Sequence, residues 1–163
     1  MKVAIISDSH DNIENIEKFL QQVKESKIEK IICLGDVAKI ETLKFLSDNF
    51  LGEIFLVRGN ADLYETSKTT TLQNIRYLDE VASVEIEGVK TCLVHESEKI
   101  KRYKLLEKAP DFIFYGHSHK PWLEKQEKTI IANPGTLGGI NFQASYAILN
   151  TINKNLELKI LDL

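Results

Sequence analysis

Six times along the chain a run of about four mostly apolar residues stops at a short polar turn. Val3-Ala4-Ile5-Ile6 leads into Ser7-Asp8-Ser9-His10, Ile31-Ile32-Cys33-Leu34 into Gly35-Asp36, and Ile54-Phe55-Leu56-Val57 into Arg58-Gly59-Asn60. Thr91-Cys92-Leu93-Val94 leads into His95, Phe112-Ile113-Phe114-Tyr115 into Gly116-His117-Ser118-His119, and Thr129-Ile130-Ile131-Ala132 into Asn133-Pro134-Gly135. Runs of this length between turn residues read as buried strands. If the strands lie side by side, the polar turns collect along one rim, where open α/β sheets place their ligands.

Between the first two runs, Ile13, Ile16, Phe19, Leu20 and Val23 recur at helical spacing and predict a helix over 12–26. Asp11 and Asn12 offer its N-cap, and Glu14 falls where a capping box would place it. A second helix is predicted over 40–49, with Leu43 and Leu46 facing inward. The threonine-rich stretch 64–73 reads as a polar loop, and 82–87 and 89–94 as a hairpin about Glu87-Gly88. A third helix, over 98–108, ends before Pro110. Short strands follow at 122–127, 129–132, 145–149 and 156–161. Helices and strands alternate at first and strands dominate later, which predicts two packed sheets flanked by helices.

Composition narrows the partners. With 163 residues, 43% of them hydrophobic, the chain suits one domain over residues 1–163 with a sizeable core. A net charge of −3 supplies no basic field to recruit nucleic acid. No apolar run reaches the roughly 18 residues of a membrane span. The first residues enter a strand at once, without a leader pattern, and the two cysteines, Cys33 and Cys92, lie inside predicted strands. Buried free thiols and a cytoplasmic protein are expected. Trp122 or an exposed strand edge would support a homodimer.

The candidate chemistry lies in the turns. All four histidines, His10, His95, His117 and His119, fall just past apolar runs. Histidine has no turn preference of the kind that places Asp, Asn and Gly there. With Asp8, Asp36 and Asn60 they make a set of carboxylate, imidazole and amide groups that contains no thiolate. Such a set suits Mn²⁺, Fe, Zn²⁺ or Co²⁺. Seven groups are too many for one tetrahedral site and the right number for two metals sharing a carboxylate. Two dications against two carboxylates and a hydroxide leave a net positive centre, which favours an anionic phosphate ester. Ser7, Ser9 and Ser118 lack the strand-to-helix elbow of a serine nucleophile.

Asp8-x-His10, Gly35-Asp36, Gly59-Asn60, His95 and Gly116-His117-x-His119, in that order, resemble the calcineurin-like metallophosphoesterase superfamily. Within it the resemblance is to the small bacterial and archaeal phosphodiesterase branch. It implies an α/β fold: a four-layer α/β/β/α sandwich of two mixed sheets flanked by helices, with the metal site at one rim. It implies Asp8, His10 and His119 as ligands of a first metal, Asn60, His95 and His117 as ligands of a second, and Asp36 as the bridge. Mn²⁺ is the metal such enzymes favour, with Ni²⁺, Fe and Zn²⁺ also used. The implied reaction is hydrolysis of a small phosphodiester by in-line attack of a metal-bridging hydroxide, with Asp36, Asn60 and His10 catalytic. The alternatives are a non-catalytic scaffold of the same fold that binds protein partners, and a metal-dependent nuclease. Two positions depart from the family pattern. Ala61, followed by Asp62, stands where many members carry histidine, and Glu96 stands where glycine is usual after His95.

Overall fold

The computed structural model describes residues 1–101 and 109–161. The strands divide between two mixed sheets. The first is ordered β11 (Asn155–Ile160), β10 (Ser145–Asn150), β1 (Lys2–Ile6), β2 (Lys30–Cys33), β3 (Glu53–Leu56) and β4 (Ile75–Tyr77). The second is ordered β5 (Val81–Ile86), β6 (Val89–Val94), β7 (Phe112–Phe114), β9 (Thr129–Asn133) and β8 (Trp122–Gln126). β1 to β4 run parallel, with β10 antiparallel to β1. In the second sheet β6, β7 and β9 are parallel, and β5 and β8 close the edges in antiparallel sense. The six turn-capped runs therefore do not share one sheet. Three belong to each, and the parallel strands β1, β2, β3, β6 and β7 bring their C-terminal ends to a common rim.

The apolar faces sort into layers. Val3, Ile5, Ile32, Leu34, Phe55 and Val57 of the first sheet meet Leu93, Phe112, Phe114 and Ala132 of the second in the central core. Phe112 and Phe114 stack with ring centroids 5.5 Å apart. On the outer face of the first sheet lie α1 (Ile13–Glu25) and α2 (Ile40–Asp48), which bury Ile16, Phe19, Val23, Leu43 and Leu46. A smaller cluster of Cys92, Val94, Ile113 and Ile131 covers the outer face of the second sheet. Both cysteines are buried. No helix among the described residues is long and apolar enough to cross a membrane.

Several local expectations resolve differently. Asn12 is the N-cap of α1 and accepts from the Asn15 N–H at 3.1 Å. Glu14 does not reach back as a capping box requires, because its carboxylate takes Lys18 at 2.8 Å. Asp11 serves the second helix instead, accepting from the Lys39 N–H at 3.1 Å and the Thr42 hydroxyl at 2.6 Å. The expected loop at 64–73 contains a 3₁₀ helix, Thr66–Thr71, in which three threonine hydroxyls bond carbonyls three residues back. β4 went unpredicted because its three residues, with Arg76 central, form too short an apolar run. The helix expected over 98–108 opens with a 3₁₀ turn at Ser97–Lys99, and its stretch 102–108 lies outside the described residues. The hairpin is as expected: Glu87 (φ 51°) and Gly88 (φ 75°) both take the positive φ that a tight two-residue turn needs.

Phe114 is fully buried between the sheets. Phe114→Ala should cost about 3–5 kcal/mol of stability, the usual range for emptying an aromatic core site. Urea unfolding of the two proteins measures it. A loss under about 1 kcal/mol would mean that the sheets do not depend on this contact.

Candidate metal centre

Each strand end delivers its polar residue to the same place. Asp8 and His10 follow β1, Asp36 follows β2, Asn60 follows β3, His95 follows β6, and His117 and His119 follow β7. Delivering them bends the backbone. Asp8, His10, Asp36, His117 and His119 all have φ between 44° and 64°. Non-glycine residues seldom enter this left-handed region, and such strain gathers at functional sites. Backbone bonds hold the turns in place: Asp8 N–H to Gly35 O at 3.0 Å, His10 N–H to Asp36 O at 3.0 Å, and Gly116 N–H to His95 O at 2.9 Å.

The residues gather in two groups, Asp8, His10 and His119 in one, Asp36, His95 and His117 in the other. In the first, His10 Nε2 lies 3.1 Å from His119 Nε2, which lies 3.3 Å from Asp8 Oδ1. In the second, His95 Nε2 lies 3.0 Å from Asn60 Oδ1 and 3.2 Å from Asp36 Oδ2. The His95 and His117 rings meet edge to face at 5.2 Å. Bonds of about 2.1 Å meeting a cation at 90–109° would hold their donor atoms about 3.0–3.4 Å apart. The four donor separations from 3.0 to 3.3 Å fall in that range.

The two aspartates are used alike. Asp8 Oδ2 accepts the His117 N–H at 3.0 Å, while Oδ1, fully buried, has no hydrogen-bond partner among the described residues. Burial pushes the Asp8 carboxyl above its ordinary pKa. An orphaned, buried carboxylate oxygen facing two imidazole nitrogens is what a cation site requires. Asp36 Oδ1 accepts the Ala61 N–H at 2.7 Å. Its Oδ2 lies 3.2 Å from His95 Nε2 and 4.0 Å from His10 Nε2, within reach of both groups. Burial raises the Asp36 pKa, but the bonds from His95 and Ala61 outweigh it and hold it low. Burial lowers the His95 pKa, and Asp36 outweighs that and holds it high.

Carbonyls behind the rings set the tautomers. His95 Nδ1 donates to Leu34 O at 2.7 Å and His119 Nδ1 to Ile140 O at 3.2 Å. Nε2 is left to face the site, the arrangement that orients metal-binding imidazoles. Close packing leaves little slack. A Cβ on Gly59 would lie 2.1 Å from Asp36 Oδ1, and one on Gly116 would lie 2.0 Å from Ser7 Oγ.

All seven predicted residues meet at the rim; the neighbouring acids face elsewhere. Asp62 is buried, and its carboxylate accepts the N–H groups of Val37 (2.8 Å), Ala38 (3.0 Å) and Gly59 (2.7 Å). It ties the Asp36 turn to the Asn60 turn and has no geometry for proton donation. Reading an aspartate that reaches three residues back to a glycine N–H as a local backbone clip would have found this role. Glu96 turns to Lys99 at 2.9 Å, which also holds Glu80 at 3.1 Å, so its charge is met away from the rim. The Arg58 side chain reaches Tyr77.

Residues 1–154 match the calcineurin-like phosphoesterase superfamily domain. A phosphodiesterase of Methanocaldococcus jannaschii is 29% identical over 145 residues, 85% of this chain and 86% of that protein. The structure of an archaeal phosphodiesterase superposes with a TM-score of 0.87 at 26% identity, covering 99% of this chain and all of that one. Vps29 of Entamoeba histolytica, solved with zinc, shares the fold with a TM-score of 0.70 at 19% identity, covering 98% of this chain and 97% of that one. A match across almost the whole chain, on a rim built this way, means that this protein belongs to the calcineurin-like phosphoesterase superfamily.

Proposed function

We propose that the protein is a phosphodiesterase that works with two divalent cations. The observation that carries this reading is Asp36 Oδ2, held between two groups of nitrogen and oxygen donors. Asp8, His10 and His119 would hold one cation, Asn60, His95 and His117 the other, and Asp36 both. The donor set has no thiolate and suits Mn²⁺, with Ni²⁺, Fe or Zn²⁺ as alternatives. Two such ions, when bound, polarise the phosphoryl oxygens and lower the pKa of a water. The likeness to a phosphodiesterase of Methanocaldococcus jannaschii favours a diester over a monoester.

The chain's own residues position and shape this centre. The Ala61 N–H fixes the Asp36 carboxylate so that Oδ2 points to the rim. Leu34 O and Ile140 O keep Nδ1 of His95 and His119 protonated, so that Nε2 faces inward. Asn60 and His117 are exposed, which opens that side of the rim to a phosphoryl group. Residue 61 is an alanine and Asp62 is spent on backbone N–H groups, so neither can hand a proton to the departing alkoxide.

Asp36→Asn should cut the rate on a bis-nitrophenyl phosphate by at least about 100-fold, the scale of losing one preorganised electrostatic group. Metal analysis should find the variant short of at least one equivalent, because a neutral amide is a poor bridge. Fully active wild type containing at most one equivalent would overturn the two-cation reading.

Diesters with phenolic leaving groups should be cleaved well and alkyl esters poorly, because general acids are worth typically about 10²–10⁴-fold and residue 61 supplies none. Rates across a series of substituted phenyl esters should fall steeply as leaving-group pKa rises, and Ala61→His should flatten the slope. A flat wild-type dependence, with chemistry rate-limiting, would place the proton donor elsewhere.

A further inference from the structure

The turn after β7 carries two of the seven site residues, His117 and His119, on left-handed backbone at φ 64° and 59°. Something must hold it there, and two side chains do so from opposite sides. From the first sheet, Asp8 Oδ2 takes the His117 N–H at 3.0 Å. From the second sheet, Asn133, at the end of β9 and fully buried, reaches beneath the turn. Its Nδ2 donates to Gly116 O at 2.7 Å and to Ser118 Oγ at 3.1 Å. Its Oδ1 accepts the Gly135 N–H at 2.8 Å, so the amide is locked at both ends. The residue after it is Pro134, whose ring stiffens the turn after β9 from which Asn133 reaches. The turn has no room to shift toward the first sheet, because Gly116 already lies against the Ser7 hydroxyl.

We propose that Asn133 is a positioning residue that sets the cation affinity of both halves of the centre together. The inference rests on the two-cation reading above. His119 belongs to the Asp8 group and His117 to the Asp36 group, yet one amide fixes the peptide segment that bears both. A change at His10 or His95 disturbs mainly one group. Loosening the turn disturbs both. The buried amide is therefore part of the metal-binding apparatus, although it touches no cation itself.

The test is a Mn²⁺ titration by calorimetry of wild type, Asn133→Asp and Ser118→Ala, with thermal melts of each metal-free protein. Asn133→Asp keeps the size and the bond to Gly135 but sets an acceptor against Gly116 O. Both Mn²⁺ affinities should fall by about 10–100-fold, the range seen when groups supporting metal ligands are removed. Ser118→Ala removes the weaker bond at an exposed position and should lower both affinities by a smaller, parallel factor. Saturating Mn²⁺ should restore the turnover of each variant on a nitrophenyl diester. Should Asn133→Asp fail to fold, Ser118→Ala decides alone. Wild type taking up two equivalents while the folded variants bind as tightly, or weaken at one site only, would overturn this proposal by itself. Wild type taking up fewer than two would overturn the two-cation reading and this proposal with it.

Discussion

Two aspartates are each divided between structure and site, and the rim depends on that division. Asp8 gives one oxygen to the His117 N–H and Asp36 gives one to the Ala61 N–H. The remaining oxygens have nowhere to turn, so they face the imidazoles whether or not anything lies between. A carboxylate free to rotate would find water or a lysine. Held by backbone, it is preorganised, and the desolvation of the fully buried Asp8 is a cost met on folding. The first of these tethers also crosses from one sheet to the other, which makes the register of the sandwich and the geometry of the site the same problem.

The strain follows from the same demand. Five of the seven site residues occupy left-handed backbone, at a cost of order 1–3 kcal/mol each. That conformation reverses the chain directly after a strand and lets residues two apart, His10 from Asp8 and His119 from His117, turn to one side. The stored energy is offset by burial elsewhere. Phe112, Phe114, Ile5 and Ile32 fill the space between the sheets, and Phe19, Ile16 and Leu43 fill the space beneath the helices. Asp62 and Asn133 then lock the turns, Asp62 through both carboxylate oxygens and Asn133 through both ends of its amide.

Much of this was legible before the fold was known, and the reasons differ by residue. The strands announce themselves because buried parallel strands are apolar on both faces. The histidines stand out because imidazoles have no business in ordinary turns. The assignment of three runs to each sheet was not legible, since a strand of four apolar residues carries no mark of its neighbour. Asn133 was visible as a residue but not as a clip: Asn is common in turns, and only three-dimensional contact separates a residue that lines a site from one that braces it. The 3₁₀ helix at Thr66–Thr71 was hidden by its composition, because threonine there bonds its own backbone rather than packing an apolar face.

The rim draws on residues 8 to 119 and on both sheets, which has a consequence for how the molecule assembles. Neither half of the sandwich can form the centre alone: the first sheet lacks His95, His117 and His119, and the second lacks both aspartates. A chain in which one sheet has formed and the other has not has no high-affinity place for a cation. On the two-cation reading, metal would then bind only once both sheets are in place. A ligand that binds the native state alone, at 100 times its dissociation constant, adds about 2.7 kcal/mol to that state. On the two-cation reading, metal binding would thus stabilise the packed pair of sheets as a unit, beyond any part it plays in chemistry.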